Sequence, residues 1–98
     1  MDESQLTQLH AVVHGYVQGV GFRGFVLSTA LSLELKGWVR NVGYDRVEVI
    51  AEGPREKLDK LLLALHQGPR MSQVDKVDAV WNAYSGEFSR FSVEYDAE

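Results

Sequence analysis

The chain has 98 residues, 45% of them hydrophobic and 24% charged, with no cysteine and a formal net charge of -4. A single domain of this size buries roughly two thirds of its unfolded surface and needs no staples; without cysteine, disulfides and thiolate metal sites are excluded. The acidic balance disfavours nucleic-acid backbone binding, which needs clustered positive charge. No apolar run approaches the roughly 18 residues of a membrane span, and the acidic start "MDESQLTQ" is not a secretory signal.

Residues 1–6 and 96–98 are expected to be flexible ends of one domain spanning 1–98. "TQLHAVVHG" (7–15) alternates Leu9, Ala11 and Val13 against His10, Val12 and His14, the period of a strand. After a glycine-rich loop, Phe22, Phe25, Val26, Thr29, Ala30 and Leu33 recur at helical spacing, predicting a helix over 22–34. "KGWVRNV" (36–42) and "RVEVIAEG" (46–53) read as a hairpin around "GYD". Pro54 is expected at the first position of a second helix, with Leu58, Leu61, Leu62 and Leu65 as its buried stripe and Gly68-Pro69 as its stop. Strands over 73–82 and 88–95 complete the chain. This order, β-α-β-β-α-β plus a short C-terminal strand, predicts an α+β, ferredoxin-like split βαβ sandwich. Its antiparallel sheet carries both helices on one face.

The loop "GYVQGVGFRG" (15–24) contains a G-x-G-x-x-G match. A dinucleotide-binding fold needs two βαβαβ halves and a parallel sheet, which the hairpin forbids. The lysine-bearing nucleotide loop is absent. What remains is a loop whose glycines let the backbone pass close to a ligand, feeding a helix N-terminus that attracts anions. Arg23, in the first helical turn, adds a planar fork matched to phosphate oxygens. These features describe a seat for one phosphate-sized anion. Asn41, near the end of the second strand, is placed to approach that loop, although a lone Asn beside a turn is often only a turn residue. His10 and His14 stand about 13 Å apart along one strand, too far for one metal. No metal site is expected.

"GYVQGVGFR" (15–23) together with "GWVRN" (37–41), 18 residues from Arg23 to Asn41, resembles the acylphosphatase family over about residues 8–95. The resemblance implies a small cytoplasmic enzyme, and the isolated charged surfaces suggest a monomer. It would hydrolyse acyl phosphates to a carboxylate and inorganic phosphate without metal or cofactor, and bind neither nucleic acid nor membrane. Carried over by position, Arg23 binds phosphate, Asn41 orients the attacking water, and Gly15, Tyr16, Val17, Gln18, Gly19, Val20 and Gly21 form the backbone cradle. The sequence departs from the family pattern at Tyr16, Gly24, Glu34 and the 43–46 turn. Glu34 stands where a helix-ending glycine is usual, so a left-handed conformation there would be strained. A non-catalytic anion-binding module on the same fold is the alternative. An RNA-binding sheet is disfavoured by the acidic balance and the missing stacking motif.

Overall fold

The computed structural model describes residues 5–95. The flexibility expected of 1–4 and 96–98 therefore lies outside the described residues, whereas Leu6 already belongs to a strand. The elements are β1 (Leu6–Tyr16), α1 (Phe22–Ser32), β2 (Lys36–Val42), β3 (Arg46–Pro54), α2 (Arg55–Gln67), β4 (Gln73–Ala83) and β5 (Phe91–Val93). The sheet order is β4-β1-β3-β2-β5. Neighbours among β1 to β4 pair antiparallel, and β5 adds to β2 in parallel, so the five-stranded sheet is mixed. This is the ferredoxin-like split: β3 lies between β1 and β2, which run in the same direction.

The predicted alternation sorts the faces. Leu9, Ala11 and Val13 of β1, Val47, Val49 and Ala51 of β3 and Val39 of β2 are fully buried. They meet Phe22, Val26 and Ala30 of α1 and Leu58, Leu61 and Leu65 of α2 in one core. Each large side chain buried there contributes roughly 1.5–3 kcal/mol. The opposite sheet face is polar and bears His10, Arg40 and Glu48, joined by a 2.7 Å contact from His10 to Glu48 and a 2.9 Å bond from Arg40 to Glu48.

Three boundaries differ from the sequence expectation. Pro54 does not begin α2. It pairs with Leu6 at the end of β3 with ψ 139°, and Arg55 is the first helical residue. Proline's fixed φ suits either conformation, and the ladder to β1 decides. Helix α1 stops at Ser32 because Glu34 takes φ 60°. The last strand covers 91–93 rather than 88–95. The preceding loop is claimed by Glu52, a buried carboxylate that accepts from Gln8 Nε2 (2.7 Å), Ser85 N (2.9 Å), Ser85 Oγ (2.8 Å) and Gly86 N (3.0 Å). These bonds pin the loop that precedes the expected strand.

Candidate functional site

Strands β1, β2 and β5 share one direction, so their C-terminal ends reach the same edge of the sheet. The glycine-rich loop leaves β1 there, and Asn41 lies there on β2. At the loop's start the β1–β4 register shifts between His14 and Gly15. A Cβ at Gly15 would stand 2.3 Å from the Gln73 carbonyl oxygen, and the Gly15 N–H donates to Asp45 O at 3.0 Å. The first glycine is thus required by the packing of strands. Gly21, at the other end, has φ 79° and is the N-cap of α1. No side chain caps this helix and no acidic residue occupies its first turn. Its leading N–H groups keep their positive potential. Among the described residues, no backbone carbonyl accepts from the N–H groups of Gln18, Gly19, Val20 and Gly21.

A cavity of about 270 Å³ opens at this edge. Val17, Gly19 and Gly21 of the loop, Arg23 and Gly24 of α1 and Asn41 of β2 line it. Arg23 is the charged side chain among its described lining residues. Asn41 Oδ1 is buried and has no hydrogen-bond partner among the described residues. A buried amide oxygen costs free energy unless something donates to it, so this atom marks a place for a polar guest. Strand alternation explains why Asn41 is here while its neighbour Arg40 is not. Arg40 faces the other side of the sheet, with its guanidinium 4.9 Å from the centre of the Trp38 ring and bonded to Glu48. Burial would raise the Glu48 carboxyl, but the hydrogen bonds from His10 and Arg40 outweigh it and hold its pKa below the ordinary value.

Of the seven loop residues expected to form a cradle, the structure brings Val17, Gly19 and Gly21 to the cavity wall. Gly15 and Tyr16 end β1, and the Tyr16 side chain is exposed. Val20 packs against the core. The Gln18 side chain turns away to the β2–β3 hairpin, donating from Nε2 to the carbonyls of Val42 (3.3 Å), Gly43 (3.1 Å) and Arg46 (2.9 Å). It ties the loop to the hairpin that carries Asn41. Sequence reading missed Val93 and Tyr95, which also line the cavity. The alternation of Phe91, Val93 and Tyr95 puts them on one face, and the parallel pairing of β5 with β2 brings that face to the cavity. His10 and His14 have separate partners, Glu48 and Asp78, and no group of metal-ligand side chains exists among the described residues. A wider, open depression of about 660 Å³ lies by the start of β1 and of α2. Its Arg55 and Asp59 satisfy each other at 3.1 Å, leaving no converging donors comparable to the loop.

A family model described as Acylphosphatase matches residues 9–93. The acylphosphatase of Syntrophotalea carbinolica is 48% identical over 83 residues, covering 85% of this chain and 90% of the relative. Among solved structures, an acylphosphatase from Bacillus subtilis superposes with TM-score 0.87 at 38% identity, covering 91% of this chain and 99% of the other. One from Coxiella burnetii gives TM-score 0.90 at 35% identity, with 96% and 98% covered.

Proposed function

The chain belongs to the acylphosphatase family and is an enzyme hydrolysing acyl phosphates, and from that premise we propose how its own residues divide the work. Arg23 and the loop N–H groups hold the phosphoryl oxygens. Asn41 holds the attacking water through Oδ1. The observation that carries the reading is that Asn41 Oδ1, buried and unpartnered among the described residues, lines the same small cavity as Arg23.

The chemistry asks little else of the protein. Water oxygen bonds to phosphorus, the bond from phosphorus to the acyl oxygen breaks, and a carboxylate leaves. That leaving group is weakly basic and needs no general acid. The loose transition state spreads charge over the equatorial phosphoryl oxygens, so positioning and electrostatics dominate. The asparagine amide is not a base near neutral pH. The water's proton passes to an oxygen of the phosphoryl group, which departs as inorganic phosphate. The reading requires neither metal nor cofactor.

A cavity of this volume fits a small ligand rather than a dinucleotide. The open sheet face pairs Glu48 and Asp78 with His10, Arg40 and His14, which supports a small-molecule substrate over nucleic acid. We place the enzyme in the cytoplasm as a monomer, in keeping with its cysteine-free chain and charged surface; sedimentation analysis tests the second point.

Benzoyl phosphate hydrolysis in excess EDTA tests the mechanism. Arg23→Ala and Asn41→Ala are each expected to lower turnover about 10²–10³-fold, the cost of one electrostatic donor. Inorganic phosphate is expected to inhibit competitively. Turnover that survives both substitutions, or that vanishes in EDTA, refutes the assignment. Phosphate binding without turnover in the unaltered protein would mark a non-catalytic anion-binding module.

A further inference from the structure

The end of β5 builds a part of the cavity that phosphate capture does not use. Strand β5 pairs parallel to β2 in the register Gly37 to Phe91, Trp38 to Ser92 and Val39 to Val93. The ladder runs on past the strand's assigned end, because Glu94 N donates to Val39 O at 2.8 Å. Two residues further along both chains, Tyr95 comes level with Asn41. Alternation puts Phe91, Val93 and Tyr95 on one face. Phe91 is in the core, Val93 packs at its margin, and Tyr95 emerges at the cavity rim. Its ring centre is 5.7 Å from the Arg23 guanidinium carbon, and the residue is 81% exposed. The core does not claim this ring.

The reaction axis gives the ring its place. Attack in line sets water, phosphorus and leaving oxygen roughly along one axis. Asn41 Oδ1, the proposed water holder, is shielded from solvent although Asn41 lines the cavity. The leaving carboxylate and the rest of the acyl group therefore point to the mouth, where Tyr95 stands with Val93 beside it. We propose that Tyr95 is a specificity-determining residue that packs against the acyl group, favouring acyl phosphates whose acyl part is aromatic or extended and apolar over those with a short acyl chain. Its ring face serves this role and its hydroxyl does not. The inference rests on the phosphate-site reading above.

The test compares kcat/KM for benzoyl phosphate and acetyl phosphate in the unaltered enzyme, Tyr95→Ala and Tyr95→Phe. Loss of one aromatic contact is expected to reduce the benzoyl-to-acetyl preference about 3- to 10-fold in Tyr95→Ala, through KM for benzoyl phosphate. Tyr95→Phe is expected to keep the preference. An unmoved preference in Tyr95→Ala overturns the proposal. Equal losses on both substrates, with weaker inhibition by inorganic phosphate, overturn it too, since they show a ring that positions Arg23. Failure of the unaltered enzyme to hydrolyse either substrate would instead refute the phosphate-site reading, a different result from hydrolysis without acyl preference. Because Tyr95 is exposed, both variants are expected to melt near the parent temperature, and matching circular-dichroism melts verify this.

Discussion

Glu34 is the only non-glycine residue with positive φ among those described, at 60°. It follows the C-cap Leu33, and two backbone bonds fix it there: Glu34 N to Leu31 O at 3.1 Å and Leu35 N to Ala30 O at 2.9 Å. This is the Schellman pattern, sealed by Leu35 and Ala30, both buried. The core contact forces the turn, and the turn forces a side chain into a left-handed conformation that costs roughly 1–2 kcal/mol. Replacing Glu34 with glycine removes that strain. Against it stand the wider unfolded freedom of glycine, about 0.4–1 kcal/mol, and the loss of an exposed ion pair with Lys57 at 3.1 Å, worth a few tenths of a kcal/mol. The balance favours Glu34→Gly by roughly 0.5 kcal/mol, or about 2–4 °C in Tm for a domain of this length. Glu34→Ala loses the ion pair and keeps the strain, so it is expected to show no gain. Thermal and urea unfolding of both variants measure the difference. The cavity lies at the opposite end of α1, about 15 Å away by helical rise, so benzoyl phosphate turnover is expected to hold in Glu34→Gly. A glycine variant no more stable than the alanine variant refutes the strain argument.

Two further outcomes follow from side chains that organise loops. Gln18→Ala removes the three contacts that tie the loop to the hairpin; it is expected to cost about 1 kcal/mol of stability and at least about 10-fold in kcat/KM through misplacement of the loop relative to Asn41, and undiminished kcat/KM would show that the loop holds its shape without them. Burial would raise the Glu52 carboxyl, but the Ser85 N–H and hydroxyl, Gln8 and the Gly86 N–H together hold its pKa below the ordinary value. The unfolded chain then binds more protons, so this stabilisation is complete above the unfolded value of about 4.3 and is lost as pH falls through the lower folded one. Glu52→Gln sets one amide N–H₂ against these donors. It is expected to cost about 2–3 kcal/mol at pH 7 and to flatten the acid limb of stability, read by urea denaturation between about pH 3 and 6; an acid limb as steep as the parent's would refute it.

The fold was legible because the two periods in the sequence do not overlap. Leu9, Ala11 and Val13 alternate as only a strand can, and Phe22, Val26 and Ala30 recur as only a helix can. The left-handed cost at Glu34 was also visible as a departure from pattern. Boundaries set by distant partners were not legible. Pro54 takes its conformation from pairing with Leu6, 48 residues earlier, and the loop before β5 is pinned by a carboxylate on β3 that gathers the amides of Ser85 and Gly86. Nothing local in "NAYSGEFSR" announces that. Arg23 and Asn41 were legible as residue types in a first helical turn and a strand, and the direction of β2 accounts for their meeting at one cavity. Tyr95 was hidden because its place depends on β5 joining β2 in parallel, a pairing between segments more than 50 residues apart.

The glycines of "GYVQGVGFRG" show why a match to a phosphate-loop pattern says less than the loop itself. Gly15 is glycine because β4 leaves no room for a Cβ, and its N–H is spent on Asp45. Gly21 is glycine because the chain must enter α1 left-handed without a capping side chain, which leaves the helix N-terminus open to an anion. Gly24 lies inside the helix, and a Cβ there would meet nothing within 4 Å, so space does not require a glycine. Of the loop itself, Val17, Gly19 and Gly21 reach the cavity wall, and what that wall can hold is set by the residues around it. On the proposed mechanism Arg23, which lines the cavity from the helix side, narrows the seat to one phosphoryl group. On the same proposal Asn41, with its buried and unpartnered Oδ1, holds the water from the strand side. A pyrophosphate would need a second seat along the same backbone, and at the start of the run the chain is already occupied: Gly15 is packed against β4 and its N–H is bound to Asp45 O.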